Sequence, residues 1–258
     1  MKSGNPVLQP KYFSSADTLV YGRSEELMTV GGTVSKALTL GILLMISAAF
    51  VWTRSFQAAG WGDEAIFNPH AAAPWIMLGA FGGLIVALAT TFKPNWSPYT
   101  APIYAVLEGL FLGGISAQFE VRFPGIVMPA VMLTMGTLAA MLLAYKAELI
   151  RVTDRFRSVL IAATGGIALV YLLSMILGFF HVEIPLIHGN GIMGIGFSLV
   201  VVGIAALNLV LDFEFIEQSS RRRAPKYMEW YGAFALMVTL VWLYLEFLRL
   251  LSKLNSRN

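Results

Sequence analysis

The chain has 258 residues, 57% hydrophobic and 13% charged, with a formal net charge of +3 and no cysteine. A mean hydropathy of +0.70 leaves too little polar surface to cover a water-soluble globule, which excludes disorder, a nucleic-acid-binding domain and most cytosolic enzymes. The lack of cysteine removes disulfides, thiolate metal sites and cysteine nucleophiles, and the bilayer is the remaining solvent.

Residues 1–35 are polar, carry Pro6 and Pro10 and lack the apolar stretch of a secretory signal; they read as a retained, flexible cytoplasmic tail. Seven apolar runs follow, at 37–52, 74–91, 101–117, 125–145, 159–180, 191–211 and 230–251, each near the length that crosses a bilayer as a helix. The fold class predicted is an all-α membrane protein, a seven-transmembrane-helix bundle over residues 36–251, with a short tail at 252–258. The connections are too short for a second domain. Pro74 and Pro102 are placed in first helical turns, where a missing N–H costs little, and Asp154 is placed as a cap of the fifth span. Gly79 and Gly83, and Gly109 and Gly113, repeat at four-residue spacing. Small residues so spaced let helix backbones approach closely in lipid, so the second and third spans are expected to pack tightly.

Lys and Arg collect on the cytoplasmic side of membrane proteins. Thirteen of the eighteen lie in the amino-terminal tail and in the second, fourth and sixth connections, the last holding Arg221, Arg222, Arg223 and Lys226; the alternate set is Arg54, Arg122, Arg249, Lys253 and Arg257. The amino terminus is therefore expected in the cytoplasm and the carboxyl terminus outside, with the charges near the chain end pulling the other way. The triple arginine reads as a topology signal with affinity for anionic lipid.

A charge near mid-bilayer costs about 2.5 to 3.5 kcal/mol on insertion scales, so an acid in a span is a functional candidate. Glu108 lies about seven residues into the third run, roughly 11 Å deep at 1.5 Å per residue. Asp212 ends the sixth run and Glu229 begins the seventh at the same boundary, so these two are expected to approach each other, whereas Glu246 is roughly 24 Å further along. Two carboxylates in a poorly hydrated site resist ionising together, and such a pair holds a proton or a hard cation such as calcium, with Asp212 as the metal-binding candidate. Lys93, at the cytoplasmic end of the second span, is the cation placed to neutralise that cluster. Snorkelling into headgroups is the competing reading for Glu229 and Glu246, and a hydrogen-bonded structural role is that for Glu108.

Other chemistry is thin. His181, Glu183 and His188 share a connection but lack helical spacing, which argues against a metal site. Gly191, Gly194 and Gly196 do not form a nucleotide loop after a strand. No intramembrane protease pattern is present, so neither an enzyme nor a resident cofactor is expected.

The segment Glu108-Gly109-Leu110-Phe111-Leu112-Gly113, the end of the sixth run reading Leu209-Val210-Leu211-Asp212-Phe213, and the last span with Glu229-Trp230-Tyr231-Gly232-Ala233-Phe234 and Trp242-Leu243-Tyr244-Leu245-Glu246 resemble the Bax inhibitor-1 family, also called the transmembrane Bax inhibitor motif family, in its bacterial YccA-like branch. The likeness runs from about residue 25 to 251. It implies a bundle with a central last helix that leaks calcium in a pH-sensitive way. An aspartate ending the sixth span would pair with one in the seventh, and a basic latch from the second would help govern opening. Asp212 matches the first aspartate and Lys93 the latch. An ungapped match through Glu229 puts Leu240 at the second aspartate, whereas matching Tyr244-Leu245-Glu246 puts Glu246 there. Depth favours Glu229 as the partner and the motif favours Glu246; both stay open.

The function expected is a pH-gated cation leak channel of a bacterial inner membrane, with lipid, calcium and protons as its partners and Glu108 lining the route. The alternative is a non-conducting regulator that binds other membrane proteins, such as a membrane protease. No nucleic-acid partner is expected.

Overall fold

The computed structural model describes residues 27–58, 65–180, 189 and 191–256. It contains seven helices long and apolar enough to cross a membrane, and the chain is an all-α seven-helix bundle. They are α1 (Val30–Ser55), α2 (Pro69–Phe92), α3 (Ser97–Arg122), α4 (Val127–Lys146), α5 (Asp154–Phe179), α6 (Ile192–Arg221) and α7 (Met228–Asn255). Strands β1 (Phe56–Ala58) and β2 (Ala65–Phe67) form a small antiparallel ribbon between α1 and α2, with Phe56 opposite Phe67.

Every helix outruns its apolar run at one end or both, because hydropathy marks hydrocarbon whereas backbone hydrogen bonding and caps mark helix ends. Helix α1 begins at Val30, inside the stretch assigned to the tail. Its polar first turns hide it from a hydropathy reading, yet Thr29 caps it, its Oγ1 accepting from Gly32 N at 2.9 Å. Helix α6 runs ten residues past 211 to Arg221. Three boundary expectations are corrected. Pro74 and Pro102 lie inside α2 and α3, and the first-turn prolines are Pro69 and Pro98. The cap of α5 is Thr153, which accepts from Phe156 N at 3.2 Å. Asp154 instead occupies the first turn, where its charge suits the helix dipole.

The two most buried spans are α3 and α7. Helix α7 packs against α6, α1, α3 and α4, which makes it the central post, while α5 lies at the edge against α6. The Ser116 and Tyr244 hydroxyls share a hydrogen bond of 2.7 Å, and the Tyr104 and Phe234 rings meet edge-on at 5.0 Å; both contacts tie α3 to α7. The two glycine pairs do not face each other. Gly79 of α2 lies against the α3 backbone at Leu107 and Phe111, but Gly109 and Gly113 of α3 lie against the α1 backbone at Leu44 and Ala48. Helix α3 is thus clamped from both sides.

A methyl group on Gly79 would sit 2.6 Å from the Phe111 nitrogen, and backbone cannot give way as a side chain can. Gly79→Ala is expected to cost about 1 to 3 kcal/mol by overpacking. Gly136→Ala, with open space around the added carbon, is expected to be neutral or to gain up to about 1 kcal/mol of helix propensity. Thermal unfolding in detergent compares the two.

Candidate ion site and its neighbours

The acids singled out by sequence fall at three levels along α7. Glu229 stands at its start, on the end of the bundle where α1 begins. It is buried, and its Oε1 accepts from Thr29 N at 3.0 Å, from Thr29 Oγ1 at 2.9 Å and from Lys226 Nζ at 3.1 Å. Its carboxylate fills the space left by the missing side chain of Gly32, where a methyl group would overlap it. Glu229 therefore anchors the N-terminus of α1, where orphan N–H groups and the helix dipole favour an anion. Backbone bonding from Met28 N to Ala224 O at 2.8 Å and a bridge between Leu27 and Pro225 fasten the same corner.

Glu246, seventeen residues on, is also buried. Its Oε1 takes three donors: Arg249 Nη1 at 2.6 Å, the Tyr171 hydroxyl at 2.8 Å and Trp242 Nε1 at 3.3 Å; its Oε2 is buried with no partner among the described residues. Neither glutamate snorkels.

Asp212 lies between these levels. Because α6 continues to Arg221, Asp212 stands nine residues from the helix end, about 14 Å inward at 1.5 Å per residue, and not at the boundary where the apolar run stops. It faces α7 at the buried Thr239, whose hydroxyl interacts with its carboxyl, while its Oδ2 is buried and without a hydrogen-bond partner among the described residues. Thr239 is ten residues from Glu229 and seven from Glu246, about 15 and 10 Å along α7. Asp212 is thus brought to neither glutamate. Leu240, next to Thr239, lies at the level of Asp212, in keeping with the ungapped register.

Glu108 is half-buried on α3, its Oε2 3.0 Å from where a methyl group on Gly83 of α2 would stand. It forms no ion pair among the described residues. Lys93 is the exposed C-cap of α2 and meets none of these acids. The cations that do pair with acids on α7, Lys226 in the turn before it and Arg249 on it, sit at i,i+3 spacing from Glu229 and Glu246, a spacing that was readable in the sequence.

A further acidic cluster escaped the sequence reading. The Tyr145 hydroxyl of α4 reaches Glu214 at 2.7 Å and Glu217 at 2.5 Å, Gln218 also donates to Glu214, and Arg221 pairs with Glu217 at 2.5 Å. It borders a lateral apolar groove of about 1310 Å³, walled by α1 and α4, with Leu236, Met237, Leu240 and Val241 of α7 along it. Among the described residues no three His, Cys, Asp or Glu side chains cluster as a metal site. His181, Glu183 and His188 lie outside the described residues.

Residues 5–256 match the family described as Bax inhibitor 1 like. The chain belongs to that family. No curated protein and no solved structure matches it. Within this Bax inhibitor 1 like bundle, Thr239 and Leu240 stand opposite Asp212, so among the described residues no second carboxyl meets Asp212 on the α6–α7 seam.

Hydrogen bonds to a charged group are worth about 1.5 to 3 kcal/mol each, and Glu229 accepts two from Thr29. Glu229→Ala is expected to destabilise the bundle by about 3 kcal/mol and to speed amide exchange at the start of α1. Thermal unfolding with hydrogen exchange checks both, and an unchanged α1 would mean that the anchor carries no weight.

Proposed function

We propose that this chain is a pH-sensitive cation leak channel of the Bax inhibitor-1 type, calcium being its ion, controlled by protonation of Asp212. The reading extends to a bacterial inner membrane and the YccA-like branch, with the amino terminus in the cytoplasm, the carboxyl terminus outside and no resident cofactor or enzymatic step. What carries it is the buried Oδ2 of Asp212 on a helix–helix seam, without a hydrogen-bond partner among the described residues. That oxygen is satisfied by a proton, by water or by a hard cation. The ionised form, lacking a counter-charge, favours packing that admits one of the latter two, and protonation removes that drive. Glu108, half-buried and free of ion pairs among the described residues, is a second carboxylate along such a route. Lys93, exposed and similarly free, is available as the latch.

Calcium entry into proteoliposomes between pH 6 and pH 8 tests this. The parent protein is expected to show pH-dependent flux. Asp212→Asn, whose amide does not titrate, is expected to lower the difference in flux across the range at least tenfold. Glu229→Gln is expected to retain it. Equal flux at both pH values, unaltered in Asp212→Asn, would sink the gating idea.

The lateral groove favours a second reading, a non-conducting regulator that binds another membrane protein. Ala37, Gly41 and Ala48 of α1 line it, small residues of the kind that let a partner helix approach closely. Removal of residues 1–26, which leaves the Thr29 cap and the Met28 contact in place, separates the readings. A channel keeps its pH-dependent flux after the deletion, whereas a regulator conducts in neither form, and loses its partner as well if it docks through the tail rather than the groove.

A further inference from the structure

At the end of the bundle where α7 finishes, a cavity of about 810 Å³ lies between α3, α5 and α7. Three cations line it: Arg122 at the end of α3, and Arg249 and Lys253 on α7. Lys253 is buried, with 3% of its surface exposed, and its Nζ donates to Gly194 O at 3.0 Å and to Ser198 Oγ at 2.8 Å. An ammonium carries three donors, so one N–H of a buried charge remains without an acceptor among the described residues. Both acceptors are neutral and sit in the first two turns of α6, where the helix dipole is itself positive. No acid forms an ion pair with Lys253 among the described residues, and Glu246 acts on it only from a distance.

Arg249 spends Nη1 on Glu246 Oε1 at 2.6 Å and on the Tyr171 hydroxyl at 2.7 Å, and its guanidinium lies over the Tyr171 ring at 4.7 Å. Its other edge keeps donors free, because a guanidinium carries five N–H groups in a fixed fork. Arg122 is exposed and has no ion-pair partner among the described residues. Two acids stand at this end among the described residues, and neither lines the cavity: Glu246, whose Oε1 is already surrounded by donors, and Glu120 of α3, two residues before Arg122, which accepts from Gly125 N and Val127 N. Among the described residues, three cations in the lining against two carboxylates outside it, both already accepting hydrogen bonds, leave the cavity positive and wrong in sign for calcium. The rest of the wall mixes polar Gln118, Ser174, Ser252 and Ser256 with apolar Phe119, Phe123 and Met175; Met175 is 60% exposed on α5, so an apolar strip leads from the cations toward the lipid-facing side.

We propose that this cavity is a binding site for a phosphate-bearing anion, held by Arg122, the free edge of Arg249 and the spare N–H of Lys253. Arginine forks suit phosphate oxygens in pairs and lysine suits them as a point charge. The apolar wall accommodates an acyl chain when the phosphate belongs to a lipid headgroup, and a free phosphate needs the cations alone. The site is independent of conduction and of the state of Asp212.

The test titrates the full chain in a neutral detergent with inorganic phosphate and, separately, with phosphatidylglycerol in mixed micelles, phosphatidylcholine being the control without net charge. Binding is read by native mass spectrometry. Saturable binding of phosphatidylglycerol but not phosphate assigns a lipid headgroup, and phosphate that binds and displaces the lipid assigns a soluble anion. In either case Arg122→Gln is expected to weaken binding at least tenfold and Arg155→Gln, at the opposite end of the bundle, to leave it unchanged. Lys253→Met adds a second variant, and if its burial prevents folding the exposed Arg122 decides alone. The proposal is overturned if neither probe saturates, if phosphatidylcholine binds as tightly as phosphatidylglycerol, or if a folded Arg122→Gln variant binds like the parent.

Discussion

Inside hydrocarbon there is no water to share a charge with, so each ionisable side chain of the bundle must find its partners among other helices. That constraint organises α7. At one end Glu229 gathers the cap of α1 and the Lys226 ammonium; at the other Glu246 gathers Tyr171 of α5 and the Arg249 guanidinium of its own helix. The central post is pinned electrostatically at both ends. Between the pins stands Asp212, with Thr239 beside it and one oxygen unsatisfied. A change of charge at either end would disturb donors already committed to folding. At the level of Asp212 it disturbs packing alone, which suits that position to switching better than the two more elaborate clusters.

The same constraint explains what the sequence revealed. Seven apolar runs announce seven spans because their composition is a property of each segment taken alone. Helix ends are less visible: Val30 follows a polar cap and precedes Gly31, Gly32 and Thr33, and residues 213–221 are helical while too polar for an apolar window. That second omission had a cost, since the expectation that Asp212 and Glu229 share a depth followed from ending α6 with its apolar run. Lys226 and Arg249 were legible as i,i+3 partners, but charge counting treated them as topology signals. Tyr145 meeting Glu214 and Glu217 joins residues about 70 positions apart, and no local pattern in a sequence announces such a contact. The glycines show the limit of spacing as a guide: a four-residue repeat marks a helix face that admits a neighbour without saying which neighbour arrives.

The basic residues near the carboxyl terminus, which seemed to oppose the proposed orientation, turn out to be of another kind. A topology bias arises from charges that stay hydrated at the surface and resist translocation. Arg249 is tied inward to Glu246 and Tyr171, and Lys253 is buried against Gly194 and Ser198; neither is a freely hydrated charge. Setting them aside leaves Arg54, Arg122 and Arg257 on that side against thirteen on the other. Lys226 and Arg221 are paired too, but both remain at least half exposed, so they stay in the count. That contrast is the argument for the orientation proposed above. It also sets the inward-facing cations apart, because among the described residues the buried Lys253 ammonium has two neutral acceptors and no ion pair, which is the basis for the anion site proposed above.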